Sequence, residues 1–461
     1  MATDAPDQNP YLITDYSRLR PVKVDRVVPG HEEDQLVELV REAKAKGLTL
    51  SIAGQRHSQG GHTYYKDGIM VDMTSFNRIL DVDPARRTIR VQAGATWEDV
   101  QEAVNPYGLS VKVMQSQNIF TVGGSISINA HGRDIRSGSL IKSVESFRLL
   151  LADGTIQTVS RSENEDLFPL ALGGYGLFGI ILDVTLTLTE DELYRIETEP
   201  VTTADYSEYF ANKVQADPQI RQHLARISVA PDSFLTEIVA INYRLENKEP
   251  LGPYRKLKAG DQGVLPSKLL FQLNRSSDWG KNVFWQTQHK YYDSLQGDLI
   301  SRNNAMRSKS AFMEYTAASS HDLLQEYFIP VDRFADFVSA VGPILQEERL
   351  NLLNITVRYV QEDRESLLSY AAKDSFALVC LFHLPITSEG QARSQKAIQR
   401  LLDAVIDHHG TYYLPYAPFP SLEQFRAVYP QEKSFFEKKR LYDPGGLFRS
   451  YFYEEYKGDD R

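Results

Sequence analysis

The sequence predicts an α+β protein of two domains. Three observations carry this. The chain has 461 residues, more than one ordinary core encloses. Its first 190 residues alternate helical and strand signals, with glycine clusters between them. Its middle region reads as strands separated by helices, the signature of a largely antiparallel sheet with helices segregated from it. The expected division is 1–195, 196–410 and a segment 411–461 that returns to the first domain.

Taken in order, residues 34–46 (DQLVELVREAKAK) place apolar side chains at helical spacing, and Gly47 stands where a C-terminal cap belongs. Residues 48–52 alternate like a strand, and strands are expected at 69–72, 78–82 and 88–91. Thr96 with Asp99 forms a capping-box pattern for a helix through Ala103. Residues 147–159 read as a hairpin closed at Asp153-Gly154. The β-branched run 180–188 is a long strand. The pattern weakens over 190–203, where the domain boundary is placed. Strands follow at 238–243, 324–329, 354–360 and 376–382, with helices at 332–345 and 392–408. The last fifty residues, rich in Tyr, Phe and Pro, read as a turn-rich return segment.

Composition narrows the function classes. A net charge of -10 argues against nucleic acid or an anionic membrane as the main partner. The single cysteine, Cys380, allows no intrachain disulfide, and its apolar run (FALVCLF) marks it as a core residue. The N-terminal residues lack the apolar stretch of a secretory signal, and no run approaches the ~18–20 apolar residues of a membrane span. A cytoplasmic protein acting on a small molecule is the expectation.

Gly174 to Gly179 fits GxGxxG, with Glu199 about twenty residues on. That pattern binds a dinucleotide only when the glycines open a helix. Here a β-branched strand follows, so the Rossmann reading fails. The glycines still gather in three loops beside strands: Gly54, Gly60 and Gly61; Gly123 and Gly124; Gly173 to Gly179. Such loops let backbone N–H groups approach an anion closely. The first adds the cation of Arg56 and the hydroxyl of Ser58, giving the chemistry of a diphosphate cradle. His57 and His62 have no acidic or cysteine partner at a ligand spacing, so no metal site is expected.

Gly54-Gln-Arg-His-Ser58, Val71-Asp-Met73, Thr121-Val-Gly-Gly-Ser125, Ala130-His-Gly132 and the 173–181 segment together resemble the FAD-binding domain of the vanillyl-alcohol-oxidase / p-cresol-methylhydroxylase superfamily. The match covers roughly residues 20–190. The G-x-x-His-Ser pattern is similar to that of alditol oxidases, where the histidine is bonded to the flavin. The Thr-Val-Gly-Gly and His-Gly segments also resemble decaprenylphosphoryl-ribose oxidase, where the flavin is not covalently held. The resemblance implies FAD as cofactor, covalently attached through His57.

By position it implies that Ala53, Gly54, Gln55, Arg56, His57, Ser58, Gln59, His62 and Thr63 hold the pyrophosphate. Ser116, Thr121, Val122, Gly123 and Gly124 would line its other side. Ile128, Asn129 and His131 would run near the flavin ring, with Tyr413, while Gly179, Ile180 and Ile181 would meet the adenine end.

Alcohol oxidation needs a group that takes the hydroxyl proton, and positive charge near the reduced flavin. Strand periodicity puts Glu326 with Phe328, and Asn354 with Thr356 and Arg358, each set on one face. Glu326 and Arg358 are therefore candidate catalytic residues, with His131 as a supporting partner. Tyr412, Tyr413 and Tyr416 offer a phenolic acid–base group if a cation lowers the pKa from about 10, and Tyr416 is the favoured one. The family pattern is broken at three positions: alditol oxidases carry glutamate where Thr356 stands and histidine where Val379 stands, and the C-terminal lysine of decaprenylphosphoryl-ribose oxidase aligns with Tyr416. The apolar Val379 suggests a less polar substrate or a different position for it.

The expected reaction is oxidation of a CH–OH group in a sugar, polyol or related small molecule, with oxygen or another acceptor. C–N oxidation of the cytokinin-dehydrogenase kind, or flavin binding without turnover, are the alternatives.

Overall fold

The computed structural model describes residues 12–260, 268–308, 317 and 319–458. The N-terminal residues 1–11, read above for the lack of a signal, lie outside them.

The helix Glu33–Lys46 buries Leu36, Leu39, Val40 and Ala43 at helical spacing, and Gly47 closes it in the left-handed conformation at φ 66°. It connects strands Arg26–Pro29 and Leu50–Ala53, which flank Ile69–Asp72 in a small parallel sheet. A six-stranded antiparallel sheet follows, with Ile180–Glu190 between Thr88–Gln92 and Val144–Leu150. The expected hairpin is present: Val144–Leu150 pairs with Ile156–Ser160, and Gly154 takes φ 84° in the turn. Thr96 and Asp99 complete the capping box of Trp97–Val104. The segment after Gly179 is a strand, as the rejection of the Rossmann reading requires.

The second sheet has eight strands, all paired antiparallel, and runs from Leu299–Ser301 at one edge to Thr411–Tyr412 at the other. At its centre stand Ile220–Ile227, Asn351–Val360, Ser375–Pro385 and Ser320–Pro330, in that spatial order. Helices Phe334–Glu347 and Ser388–Asp407 pack together, and both contact strands of this sheet. The architecture is the expected α+β arrangement with a large antiparallel sheet.

Two local expectations change. The weak-pattern segment 190–203 contains the ten-residue strand Leu193–Thr202, paired along its whole length with Glu237–Leu245. Its second half is half-buried or exposed, so it shows no clean apolar alternation. The last fifty residues are not turn-rich. They form helices Leu422–Val428, Glu432–Tyr442 and Tyr451–Tyr456, whose buried aromatics pack into the main core. Beside the parallel sheet, the Leu50 N–H donates to the Leu447 carbonyl at 2.7 Å, and the Arg449 N–H donates to the Leu50 carbonyl at 2.9 Å.

Candidate active site

A cleft of about 2000 Å³, its open mouth included, runs between the glycine loops and one face of the large sheet. Its two walls are built differently.

The loop wall is mostly backbone. Ala53 ends a strand of the parallel sheet, and the chain turns through Arg56 at φ 58°. At Gly54 the loop presses against Thr121, so closely that an added Cβ would lie 2.3 Å from the Thr121 hydroxyl. That hydroxyl is already used, accepting the Gly124 N–H at the start of helix Val122–Ser127. Two motifs seventy residues apart are thereby locked together. Gly179 holds a φ of 153° beside the Leu150 carbonyl, which a Cβ would meet at 2.5 Å, so only glycine fits. The 128–131 segment is pinned from below: Tyr413 donates to the Ile128 carbonyl at 3.1 Å and Tyr370 to the Asn129 carbonyl at 2.5 Å.

The sheet wall is made of side chains in register. Arg226 pairs with Thr356, Thr356 with Val379, and Val379 with Glu326, so one row crosses four strands. A neighbouring row contains Asn354, Leu381 and Leu324. All seven line the cleft, with Arg358. Period-2 alternation does this: each strand offers every second residue to the same face.

Glu326 is the chemical centre of that wall, buried at 2% exposure. Nε2 of His131, itself buried, hydrogen-bonds the Glu326 carboxylate, which fixes Nε2–H as the donor. Tyr416 meets the same carboxylate. Burial raises the Tyr416 phenol well above its ordinary value, Glu326 raises it further, and the opposing effect of Arg358 does not win. Burial likewise raises Tyr412 and Tyr413 well above theirs. The expectation of a phenol acidified by a cation is therefore corrected: Tyr416 is a proton donor that keeps its proton. Arg358 donates to the Ser116 hydroxyl. Burial, then repulsion from Arg133, brings its pKa down to about 10, so it stays charged at neutral pH.

The residues present fit FAD. Thr63 Oγ1, His131 Nδ1 and Arg358 Nε are buried, have no hydrogen-bond partner among the described residues, and belong to residues on the cleft walls. Buried polar atoms rarely go unsatisfied in a native fold, so a polar ligand is called for. A cleft lined by glycines and by the cations of Arg56, Arg133, Arg226 and Arg358 suits an anionic dinucleotide.

Comparisons with known proteins agree. Residues 24–160 match the family model described as an FAD binding domain. The chain is 25% identical to decaprenylphosphoryl-beta-D-ribose oxidase of Mycolicibacterium smegmatis over 93% of each chain. It is 23% identical to the alditol oxidase of a Streptomyces species, over 90% of this chain and 94% of that one. The chain carries an FAD-binding domain and is an FAD-linked oxidoreductase. L-Gulonolactone oxidase of Mus musculus is 32% identical over a shorter match, 32% of this chain and 34% of that one.

Of the residues assigned from sequence to this FAD-linked oxidoreductase's site, the cleft gathers Ala53 to Ser58, His62, Thr63, Ser116, Thr121, Gly123, Gly124, Ile128, His131, Gly179, Ile181 and Tyr413, and with them Glu326, Arg358 and Tyr416. Four lie off it. Val122 and Ile180 are fully buried in the hydrophobic core. The Asn129 side chain holds Asp363, Ser366 and the Ile141 N–H, which fixes its own left-handed turn at φ 46°. Gln59 accepts the Leu324 N–H, tying the loop to the sheet. Among the described residues no cluster of three potential metal ligands occurs, and no helix is long and apolar enough to cross a membrane.

Sequence reasoning missed Arg133 and Arg226. Arg133 stands two residues past His131, and its side chain reaches the same cleft. Arg226 lies on Ile220–Ile227, a strand whose sequence (IRQHLARI) buries Gln222 and His223 and so hides its alternation.

Proposed function

We propose that this protein oxidises a CH–OH group of a sugar, polyol or related small molecule, with FAD attached covalently at His57 and oxygen or another acceptor completing the cycle. The observation that carries the reading is the convergence of Glu326, His131, Tyr416 and Arg358 on one stretch of the cleft. The named substrates of the relatives, a ribose derivative, alditols and gulonolactone, belong to the same chemical class. The working division is residues 1–195 and 411–461 around the cofactor and 196–410 around the substrate, in a cytoplasmic protein.

FAD, when bound, supplies the two-electron acceptor for the substrate C–H. The chain supplies the rest. A Glu326 carboxylate oxygen takes the hydroxyl proton, and His131, donating through Nε2–H, orients that carboxylate and shares the charge. Tyr416 keeps its proton and, donating it to Glu326, helps hold that carboxylate in place beside the substrate. Arg358 places fixed positive charge where negative charge accumulates. Thr356 and Val379, standing where alditol oxidases carry glutamate and histidine, leave Glu326 as the sole carboxylate on the described cleft wall.

His57 suits attachment because its ring is held at the cleft. Nδ1 lies 3.0 Å from the Gln55 carbonyl, and the ring packs between Tyr16 and Phe120 at 5.6 and 5.1 Å. The test is acid precipitation of the purified protein. Flavin absorbance in the pellet of wild type, and in the supernatant for His57→Ala, supports the bond. Flavin in the wild-type supernatant refutes it. Acid-stable flavin retained by His57→Ala moves the bond to another residue.

A further inference from the structure

We propose that Arg133 and Arg226 form an anion subsite, so that the substrate carries a carboxylate or phosphate several bonds from the carbon that is oxidised. This rests on the reading that the cleft oxidises an alcohol.

Three guanidinium groups, those of Arg133, Arg226 and Arg358, share the sheet end of the cleft. Among the described residues none of them meets a carboxylate within 4 Å. Their partners are neutral hydroxyls: Arg133 donates to Tyr243 at 3.3 Å, Arg226 to Tyr292 at 3.1 Å and to Thr356, and Arg358 to Ser116. The rest of the molecule behaves otherwise. Among the described residues three arginines are buried: Arg302 meets Asp134 at 2.8 Å, Arg307 meets Glu98 at 3.1 Å, and Arg133 meets no carboxylate. A buried cation left without an anion is costly, so a fold that pairs its other buried arginines leaves this one for a ligand. The only carboxylate on the described cleft wall, Glu326, is already engaged by His131 and Tyr416.

Crowding supports the same point, since Arg133 and Arg226 both depress the Arg358 pKa. Cations held together without an intervening acid attract an anion strongly, and the planar fork of arginine suits carboxylate and phosphate oxygens.

Geometry sets the spacing. Arg226 and Glu326 stand at opposite ends of one row, three strand spacings apart, about 14 Å between backbones. Thr356 and Val379 between them are small and uncharged, leaving room for the body of a molecule. One end presents its alcohol to Glu326 and the other its anion to the arginines. Arg358 is left for the cofactor side. The neutral Val379 thus does not by itself make the substrate apolar; the charge has moved along the row.

The test uses the FAD-loaded protein and calorimetric titration with inorganic phosphate and with acetate, glucitol serving as the neutral control. Saturable binding of either anion is expected, weakened about tenfold or more in Arg133→Gln and in Arg226→Gln, as expected for loss of a charge-assisted contact. Arg226→Lys, which keeps the charge, should recover part of the loss and guards against a variant that merely folds poorly. The tighter of the two anions names the substrate's group. Absence of saturable binding by both, or unchanged affinity in both glutamine variants, overturns the proposal. Because the readout needs no turnover, anion binding without reduction of the flavin by any hydroxy compound would refute the oxidation reading and leave the subsite standing.

Discussion

The two walls of the cleft are built by different rules. The loop wall is assembled from short contiguous motifs whose backbone does the work, with Gly54 against Thr121 as its tightest point. The sheet wall is assembled from single residues on four strands, brought together only by register, from Arg226 across to Glu326. The difference teaches which half of such a site can vary. Backbone cradles tolerate almost no added atom, whereas a register row accepts new side chains without moving the strands. The departures at Thr356 and Val379 fall on the second wall.

The sharpest way to break this contrast is on the loop wall. Gly54→Val should abolish FAD retention, because the new side chain displaces Thr121 and the helix start it caps. Flavin-to-protein absorbance after gel filtration checks it, and a fully loaded variant would dismiss the cradle. On the sheet wall the fold should survive while chemistry fails. Arg358→Met should retain FAD but slow substrate-driven flavin reduction roughly 10²-fold, the usual cost of losing one electrostatic stabiliser. Val379→Leu, on the same face, should leave flavin content unchanged and alter KM more than kcat, by roughly tenfold; steady-state kinetics on any accepted substrate would decide.

A control that leaves the chemistry untouched lies on the sheet away from the cleft. His223 is buried, bonded to Tyr206 and Asn242 at 2.6 Å each, and burial lowers its pKa to about 4. The unfolded chain takes up that proton near pH 6.5, so folding loses stability as pH falls from about 6.5 to about 4. The total is on the order of 3 kcal/mol. The stability gap between wild type and His223→Gln in urea melts should narrow over that window. A constant gap would show that His223 does not stay neutral.

What the sequence disclosed follows the same division. The Gly54–Ser58, Thr121–Gly124 and 173–181 segments are local patterns, so they marked out the loop wall of the cleft without any knowledge of strand pairing. The capping box at Thr96 and the cap at Gly47 were legible for the same reason. Arg226 was not legible, because its strand buries the polar Gln222 and His223 at successive positions and shows no apolar alternation. Glu326 and Arg358 could be placed on strand faces, but not into one cleft, since the order of four strands is a long-range property. Leu193–Thr202 escaped notice because half of it is solvated. The tyrosines misled because a count of nearby cations cannot reveal that burial outweighs them.

The central claim is that Glu326 takes the substrate proton in a flavin-dependent oxidation. The most direct test is anaerobic mixing of the FAD-loaded protein with a panel of sugars, alditols and their acids, following loss of flavin absorbance in wild type and Glu326→Gln. At least one compound should bleach the wild type, with the variant slower by roughly 10²–10⁴-fold while dithionite reduces both alike. Equal bleaching rates in the two proteins would contradict the assignment.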